Sequence, residues 1–91
     1  MLFEWDIAKN KLNLLKHGVD FETAQTIFDG VVIEYQDTRK DYGETRIGAF
    51  GIAGNTLLFV VFTWRGNCRR IISARSANTK ERTAYHAKIK H

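Results

Sequence analysis

The sequence predicts an α+β fold, with two N-terminal helices, a four-stranded antiparallel meander sheet and one C-terminal helix. Three observations predict this order. Apolar residues recur at helical spacing up to residue 28, β-branched and aromatic residues are frequent in residues 31–74, and a helix-capping pattern opens at Asn78. The 91 residues suit a single domain that spans residues 1–91.

The first predicted helix follows Asp6, whose carboxylate can cap its N-terminus. Ala8, Leu12 and Leu15 are spaced i, i+4 and i+7, and this spacing predicts an apolar stripe that packs on the core. The last turn is basic, which suits the negative end of the helix dipole, and Gly18 suits the position just beyond a helix.

A second, shorter helix is predicted from Asp20, another capping residue, to the Asp29-Gly30 pair. Its apolar residues again fall on one side of a helix. The expected buried side consists of Phe21, Ala24, Ile27 and Phe28.

The sheet is predicted from runs of β-branched and aromatic residues separated by turn residues. The predicted strands are residues 31–35, 45–53, 56–64 and 68–74. Gly54-Asn55 and Arg65-Gly66-Asn67 are tight turns, so the last three strands form consecutive hairpins. The third run is apolar on both faces and is therefore the central, doubly covered strand. Asn78 and Glu81 form a capping box for a final helix over residues 79–88.

The charges are divided unevenly along the chain. Residues 1–43 hold five Lys or Arg against eight Asp or Glu, a net charge of −3, and residues 44–91 hold nine against two, a net charge of +7. A basic half of this kind attracts polyanions or acidic protein surfaces.

Neither a membrane nor an oxidising location is expected for this chain. The longest apolar run, residues 57–62, is too short to span a bilayer, and the N-terminus lacks the basic and apolar regions of a secretory signal. A single cysteine, Cys68, cannot form an internal disulfide. These features predict a cytoplasmic protein.

The basic residues of the second half concentrate on the predicted strands and the last helix. They are Arg46, Arg65, Arg69, Arg70 and Arg75, followed by Lys80 and Arg82. Neighbouring strands carry alternate side chains to one face, so several arginines could converge with the end of the first helix in one pocket that holds a phosphodiester. Alternatively, they keep an exposed sheet face in solution or pair with acids of residues 34–44.

RNA cleavage without a metal needs a base for the 2′-hydroxyl and an acid for the leaving oxygen. Histidine titrates in the right range, so His17 is a candidate, although a cation there also suits the helix dipole. Glu44 is an alternative base or a simple loop charge. Tyr85 could donate a proton, stack on a base or serve only in packing. His86 and His91 receive no role, and the scattered histidines predict no metal site.

Several segments of the chain stand out together. They are Phe3-Glu4-Trp5-Asp6, Lys16-His17-Gly18-Val19, Asp41-Tyr42-Gly43-Glu44 and Ile71-Ile72-Ser73-Ala74-Arg75, followed by Glu81-Arg82 and Tyr85. In this order they resemble the BrnT family of type II toxins, over nearly the whole chain. The resemblance implies a RelE-like fold with the same order of elements.

The resemblance further implies an endoribonuclease that cleaves RNA and arrests growth, with no cofactor. Its partner would be a BrnA-like antitoxin, a DNA-binding protein through which alone the toxin reaches operator DNA. The catalytic candidates are Lys16, His17, Arg46, Arg75 and Tyr85. The RNA-binding candidates are Arg65, Arg69, Arg70 and Arg82. The alternatives are a non-catalytic module that binds RNA or an acidic protein, and a structural domain that uses its basic face only for a partner.

Overall fold

The computed structural model describes residues 1–90, so His91, which has no predicted role, lies outside the described residues. The strands are β1 (Leu2–Trp5), β2 (Ile33–Asp37), β3 (Arg46–Ala53), β4 (Thr56–Arg65) and β5 (Cys68–Ser76). The helices are α1 (Ile7–His17), α2 (Phe21–Gln25), a 3₁₀ turn at Thr26–Asp29, and α3 (Thr79–Ile89). Within residues 1–90, no helix has the length and apolarity needed to cross a membrane.

The sheet has five strands in the order β1-β5-β4-β3-β2, so the prediction of four strands is wrong by one. The antiparallel meander from β2 to β5 is confirmed. The missed strand, β1, pairs in parallel with β5, with Phe3 opposite Arg69 and Trp5 opposite Ile71. A four-residue strand whose partner comes from the far end of the chain has no hairpin turn to reveal it.

One sheet face is covered by α2 and the 3₁₀ turn, and we call it the covered face. The predicted inner side of the second helix is confirmed, because all four of its apolar side chains are buried. Phe28 packs edge-on against Phe62 of β4, with 5.4 Å between ring centroids. Ile71 and Val60 complete this core from β5 and β4.

Helix α1 begins and ends where the sequence predicts, but it turns the opposite side to the sheet. The carboxylate of Asp6 accepts a hydrogen bond from the N–H of Lys9, and Gly18 ends the helix with a φ of 72°. The predicted inner stripe is wrong: Leu12 and Leu15 are 65% and 84% exposed.

Asparagine side chains explain this orientation of α1. The buried amide of Asn13 donates to the carbonyl oxygens of Val19 (2.8 Å) and Ala74 (2.7 Å) and accepts from the N–H of Ala74 (3.1 Å). Asn10 accepts from the N–H of Phe21. These amides pair backbone groups that would be costly to bury alone, and Asn13 takes the place of a strand partner where β1 has ended.

The opposite face of the sheet is only partly covered. Helix α3 packs there through Tyr85, which forms a small apolar cluster with Leu57 and Ala77. The predicted capping box between Asn78 and Glu81 is present. The rest of this face has no helix over it, and we call it the open face; its side chains come from Arg46, Gly48, Phe59, Val61, Thr63, Arg65, Arg70, Ser73 and Arg75.

Candidate nucleic-acid interface

Strand register determines which arginines share the open face. Ile47, Phe62 and Ile71 lie side by side on β3, β4 and β5 and belong to the core of the covered face. Because side chains alternate along a strand, their neighbours Arg46 and Arg70 point to the open side. Arg70 lies opposite Glu4 and Thr63, and Arg46 lies opposite Asp37. These residues form one row of largely charged side chains across the sheet.

A second row on the open face is aromatic. Phe50 of β3 lies opposite Phe59 of β4, and Phe59 lies opposite Arg75 of β5. The guanidinium carbon of Arg75 is 4.8 Å from the Phe59 ring centre, and the two phenylalanine rings are 4.6 Å apart. Gly48 lies beneath the Phe59 ring, because a Cβ built there would lie 2.5 Å from ring atoms.

The aromatic row forms the floor of a cleft of about 310 Å³. Arg39 and Glu81 also line this cleft. Aromatic rings next to guanidinium groups suit an unstacked nucleobase and its phosphate.

Each open-face arginine has a carboxylate partner. For Arg46 and Arg65 this partner lies within residues 34–44, as one of the two alternatives from the sequence predicted. Arg46 and Arg65 lie 3.4 Å and 3.7 Å from the carboxylate oxygens of Glu44. Arg70 pairs with Glu4, and Arg75 makes two bonds of 2.9 Å with Glu81. These side chains are partly exposed. Ion pairs in contact with water contribute little, so a phosphate can compete with the carboxylates.

Two carboxylates at the aromatic cleft are held in the ionised form. Hydrogen bonds from Arg75 lower the pKa of Glu81 to about 2, although burial opposes the shift. Hydrogen bonds from Arg39 likewise lower the pKa of Asp37 to about 2. Neither group is therefore protonated near neutral pH, and neither can act there as a proton donor.

Lys16 and His17 lie at the edge of the open face, in a separate groove of about 560 Å³ between α1 and β5. Ser73 lines this groove and also lies opposite Val61 on the open face. The cleft beside Arg75 is a different depression. The sequence predicted one pocket, but in the structure no arginine lines the groove of Lys16 and His17, and neither of these residues lines the cleft of Arg75.

Arg69 lies on the covered face, apart from the other arginines. Its guanidinium carbon is 4.4 Å from the ring centre of Phe28, 4.5 Å from that of Trp64 and 5.2 Å from that of Phe62. Among the described residues, its Nε is buried without a hydrogen-bond partner. Adjacent residues of a strand point to opposite faces, so Arg69 and Arg70 cannot both reach the open one. The RNA-binding role of Arg69 stays a prediction that this position does not favour.

The two candidates on α3 are also separate from the arginine row. Tyr85 is buried and its hydroxyl donates to the carbonyl oxygen of Val31 at 2.7 Å, an arrangement that favours the packing alternative. Arg82 donates to the carbonyl of Ala77 and lines an outer groove of α3 together with His86.

Sequence reasoning did not single out two aromatic residues of this interface. The guanidinium of Arg75 packs on the ring of Phe59, and the guanidinium carbon of Arg46 lies 4.0 Å from the ring centre of Tyr42. The available signal was alternation along residues 56–64, which puts every second side chain on the open face. Among residues 1–90, no group of three or more His, Cys, Asp or Glu side chains is arranged to hold a metal ion.

Comparison with known proteins gives one finding. Residues 5–81 match the family model described as the ribonuclease toxin, BrnT, of type II toxin-antitoxin systems. A search of curated proteins gives no match to the chain. The matched span contains all four open-face arginines and ends before Arg82 and Tyr85.

Proposed function

This chain belongs to the BrnT family of type II toxin-antitoxin ribonuclease toxins, and we propose that it is a metal-independent endoribonuclease that binds RNA across the open face. RNA cleavage arrests growth until a BrnA-like antitoxin neutralises the protein. The observation that carries the proposal is the presence of four arginines on the open face of the sheet. They are Arg46, Arg65, Arg70 and Arg75.

Arg46 and Arg65 are proposed to bind the scissile phosphate. Both guanidinium groups already converge on Glu44, at 3.4 Å and 3.7 Å. A phosphate offers them the same fork-shaped contacts with more negative charge, and two cations there stabilise the charge that develops on phosphorus. Glu44, displaced from its partners, then becomes available as the base.

In this reaction the 2′-oxygen attacks phosphorus while its proton passes to Glu44. The bond between phosphorus and the 5′-oxygen breaks, and the leaving oxygen takes a proton from water. Lys16 and His17 lie in a groove that Glu44, Arg46 and Arg65 do not line, so they are proposed to contact another phosphate of the strand. The products are a 2′,3′-cyclic phosphate and a 5′-hydroxyl. No metal is needed, because arginines supply the positive charge.

The aromatic cleft is proposed to hold a base next to the cleaved bond. Phe59 offers a ring for stacking, and Arg75 lies at that ring with its pKa raised by hydrogen bonds to Glu81. Arg82 remains a proposed outer phosphate contact. We give Arg69 and Tyr85 structural roles in this scheme, because both are packed away from the open face.

Cleavage of a single-stranded RNA in EDTA tests the proposal. We expect the wild-type protein to leave 5′-hydroxyl ends and Arg46→Gln and Arg65→Gln each to be slower by about 100-fold, since one lost transition-state contact costs about this much. Lys80→Gln removes an exposed positive charge from α3 and is the matched control, with an unchanged rate.

Two results would contradict the enzyme. Intact RNA after incubation with folded, antitoxin-free protein would remove the catalytic claim. If that protein still retained RNA in a salt-dependent way, the non-catalytic RNA-binding module would be the better description.

A further inference from the structure

The aliphatic side chains of α1 face outward. Ile7, Leu12, Leu14 and Leu15 are 70%, 65%, 48% and 84% exposed on a helix of 11 residues. Single exposed leucines are common on protein surfaces, but several on one short helix form a patch that marks an interaction site.

Part of this patch forms a groove with strand β5. Leu12 and Leu15 line the groove of about 560 Å³ together with Ile72. Ile72 lies at a β-bulge, where the register to β4 passes from Ser73 directly to Ile71. It also lies just beyond the last residue that β1 pairs, so its side chain is available at the sheet edge. The floor is therefore aliphatic and concave.

The rim of the groove is basic. Lys9, Lys16 and His17 line it, and α1 carries a third lysine, Lys11, but no acidic residue. Within residues 1–90, none of the three lysines forms a salt bridge. An apolar floor with positive charges at its rim is complementary to an amphipathic segment that carries leucine-like residues and carboxylates.

We infer that this groove is the docking site for an acidic amphipathic segment of the antitoxin, a partner that rests on the proposed function. The aliphatic side chains of the segment cover Leu12, Leu15 and Ile72, and its carboxylates pair with Lys9 and Lys16. A docked segment covers Lys16 and His17, the proposed contacts to a further phosphate, and thereby competes with RNA.

The same features disfavour two other occupants. A second copy of this chain would bring identical lysines together across a two-fold contact, which is repulsive. A bilayer needs a continuous apolar helix face, but Lys11 interrupts the outer side of α1 and the groove is concave.

A double variant, Leu12→Glu with Leu15→Glu, tests the docking site against the matched control Val31→Glu, which changes a 63% exposed aliphatic residue outside the groove. Affinity for the purified BrnA-like antitoxin is measured by calorimetry at low and high salt. We expect the double variant to bind at least about 100-fold more weakly, since two central apolar contacts are replaced by charges. The control binds the antitoxin and cleaves RNA like the wild type, and both variants keep the wild-type thermal denaturation midpoint because the replaced side chains are exposed.

The remaining outcomes are distinct. Unchanged antitoxin affinity in the double variant overturns the inference. If affinity is unchanged while phosphatidylglycerol vesicles bind only the wild type, the groove faces a membrane; if only the wild type dimerises, it faces a second copy. Loss of antitoxin binding in the double variant, with no RNA cleavage by the wild type, keeps the docking site and rejects the proposed enzyme.

Discussion

Arginine side chains have different roles on the two faces of the sheet. Arg69 on the covered face lies among three aromatic rings, and its side chain is 14% exposed. Arg70, the next residue, lies on the open face, is 29% exposed and pairs with Glu4. Arg69 packs on these rings and lies 4.0 Å from a carboxylate oxygen of Glu34, so several contacts hold it, whereas Arg70 can exchange its partner for another anion. Burial on one face thus separates structural cations from available ones.

The comparison extends to the helices. Helix α2 packs on the covered face through apolar side chains, whereas the buried contacts of α1 come from asparagines and its leucines face solvent. Polarity along a sequence is therefore not enough to identify the inner side of a short helix. Three predictions test this contrast between the covered and open sides of the molecule.

The largest expected effect concerns the buried amide of Asn13. Asn13→Leu leaves the N–H and C=O of Ala74 and the C=O of Val19 without their partner, so we expect the free energy of unfolding to fall by about 3 kcal/mol. Leu12→Ala, one residue away on the exposed side, should change it by less than about 0.5 kcal/mol. Urea denaturation measures both. A larger loss for the leucine would mean that α1 packs the other way round.

A smaller effect separates the two adjacent arginines. Arg69→Gln removes contacts to three rings and should lower the free energy of unfolding by about 1.5 kcal/mol, with unchanged RNA affinity. Arg70→Gln should leave stability within about 0.5 kcal/mol but reduce the slope of log affinity against log salt by about 0.7, the value for one phosphate of a single strand. Thermal denaturation and RNA binding at several salt concentrations measure the difference. Equal salt slopes for the two variants would contradict this division of the faces.

The smallest effect is the pH dependence of the ion pair between Arg75 and Glu81. The pKa of Glu81 is about 2 in the folded protein against an ordinary value of 4.5, so the pair stabilises the fold above about pH 4.5 and loses this contribution as the pH falls towards 2. Arg75→Gln should cost about 1 kcal/mol at pH 7 and almost nothing at pH 2, because the pair is partly exposed. Urea denaturation across this range measures it.

Lys80→Gln, which removes an exposed charge near the same helix end, is the matched control for the pH series. Its stability difference from the wild type should stay nearly constant between pH 7 and pH 2. A cost of Arg75→Gln that persists undiminished at pH 2 would show that the guanidinium stabilises the fold through Phe59 rather than through the carboxylate.

Part of the site was predictable, since the arginines were identified as a set. Their division between two faces follows from alternation once the strands are aligned, but the bulge between β4 and β5 shifts that alignment near Ile72. The carboxylate partners Glu4 and Glu44 come from the chain terminus and a loop. The alternative of pairing with acids of residues 34–44 includes Glu44, but no local pattern links Glu4 to β5, so that pairing became visible only in the fold.

The sequence by itself determined the features that depend on neighbouring residues. Asp6, Asp20 and Asn78 cap the three helices as predicted, and Gly54 and Gly66 adopt the positive φ that their hairpin turns require. Caps and turns are decided by hydrogen bonds and steric limits within a few residues. The family resemblance depends on short segments in a fixed order, so it could also be recognised from the sequence alone.

Only the tertiary structure decided which groups meet across the chain. It added β1 at the edge of β5, turned Asn13 of α1 inward to Ala74, and buried Arg69 beside Phe28. Each of these results depends on backbone groups or rings more than 40 positions away along the chain. A local sequence pattern does not show that such distant groups need a partner. The amide of Asn13 faces inward because the N–H and C=O of Ala74 would otherwise lie buried and unpaired.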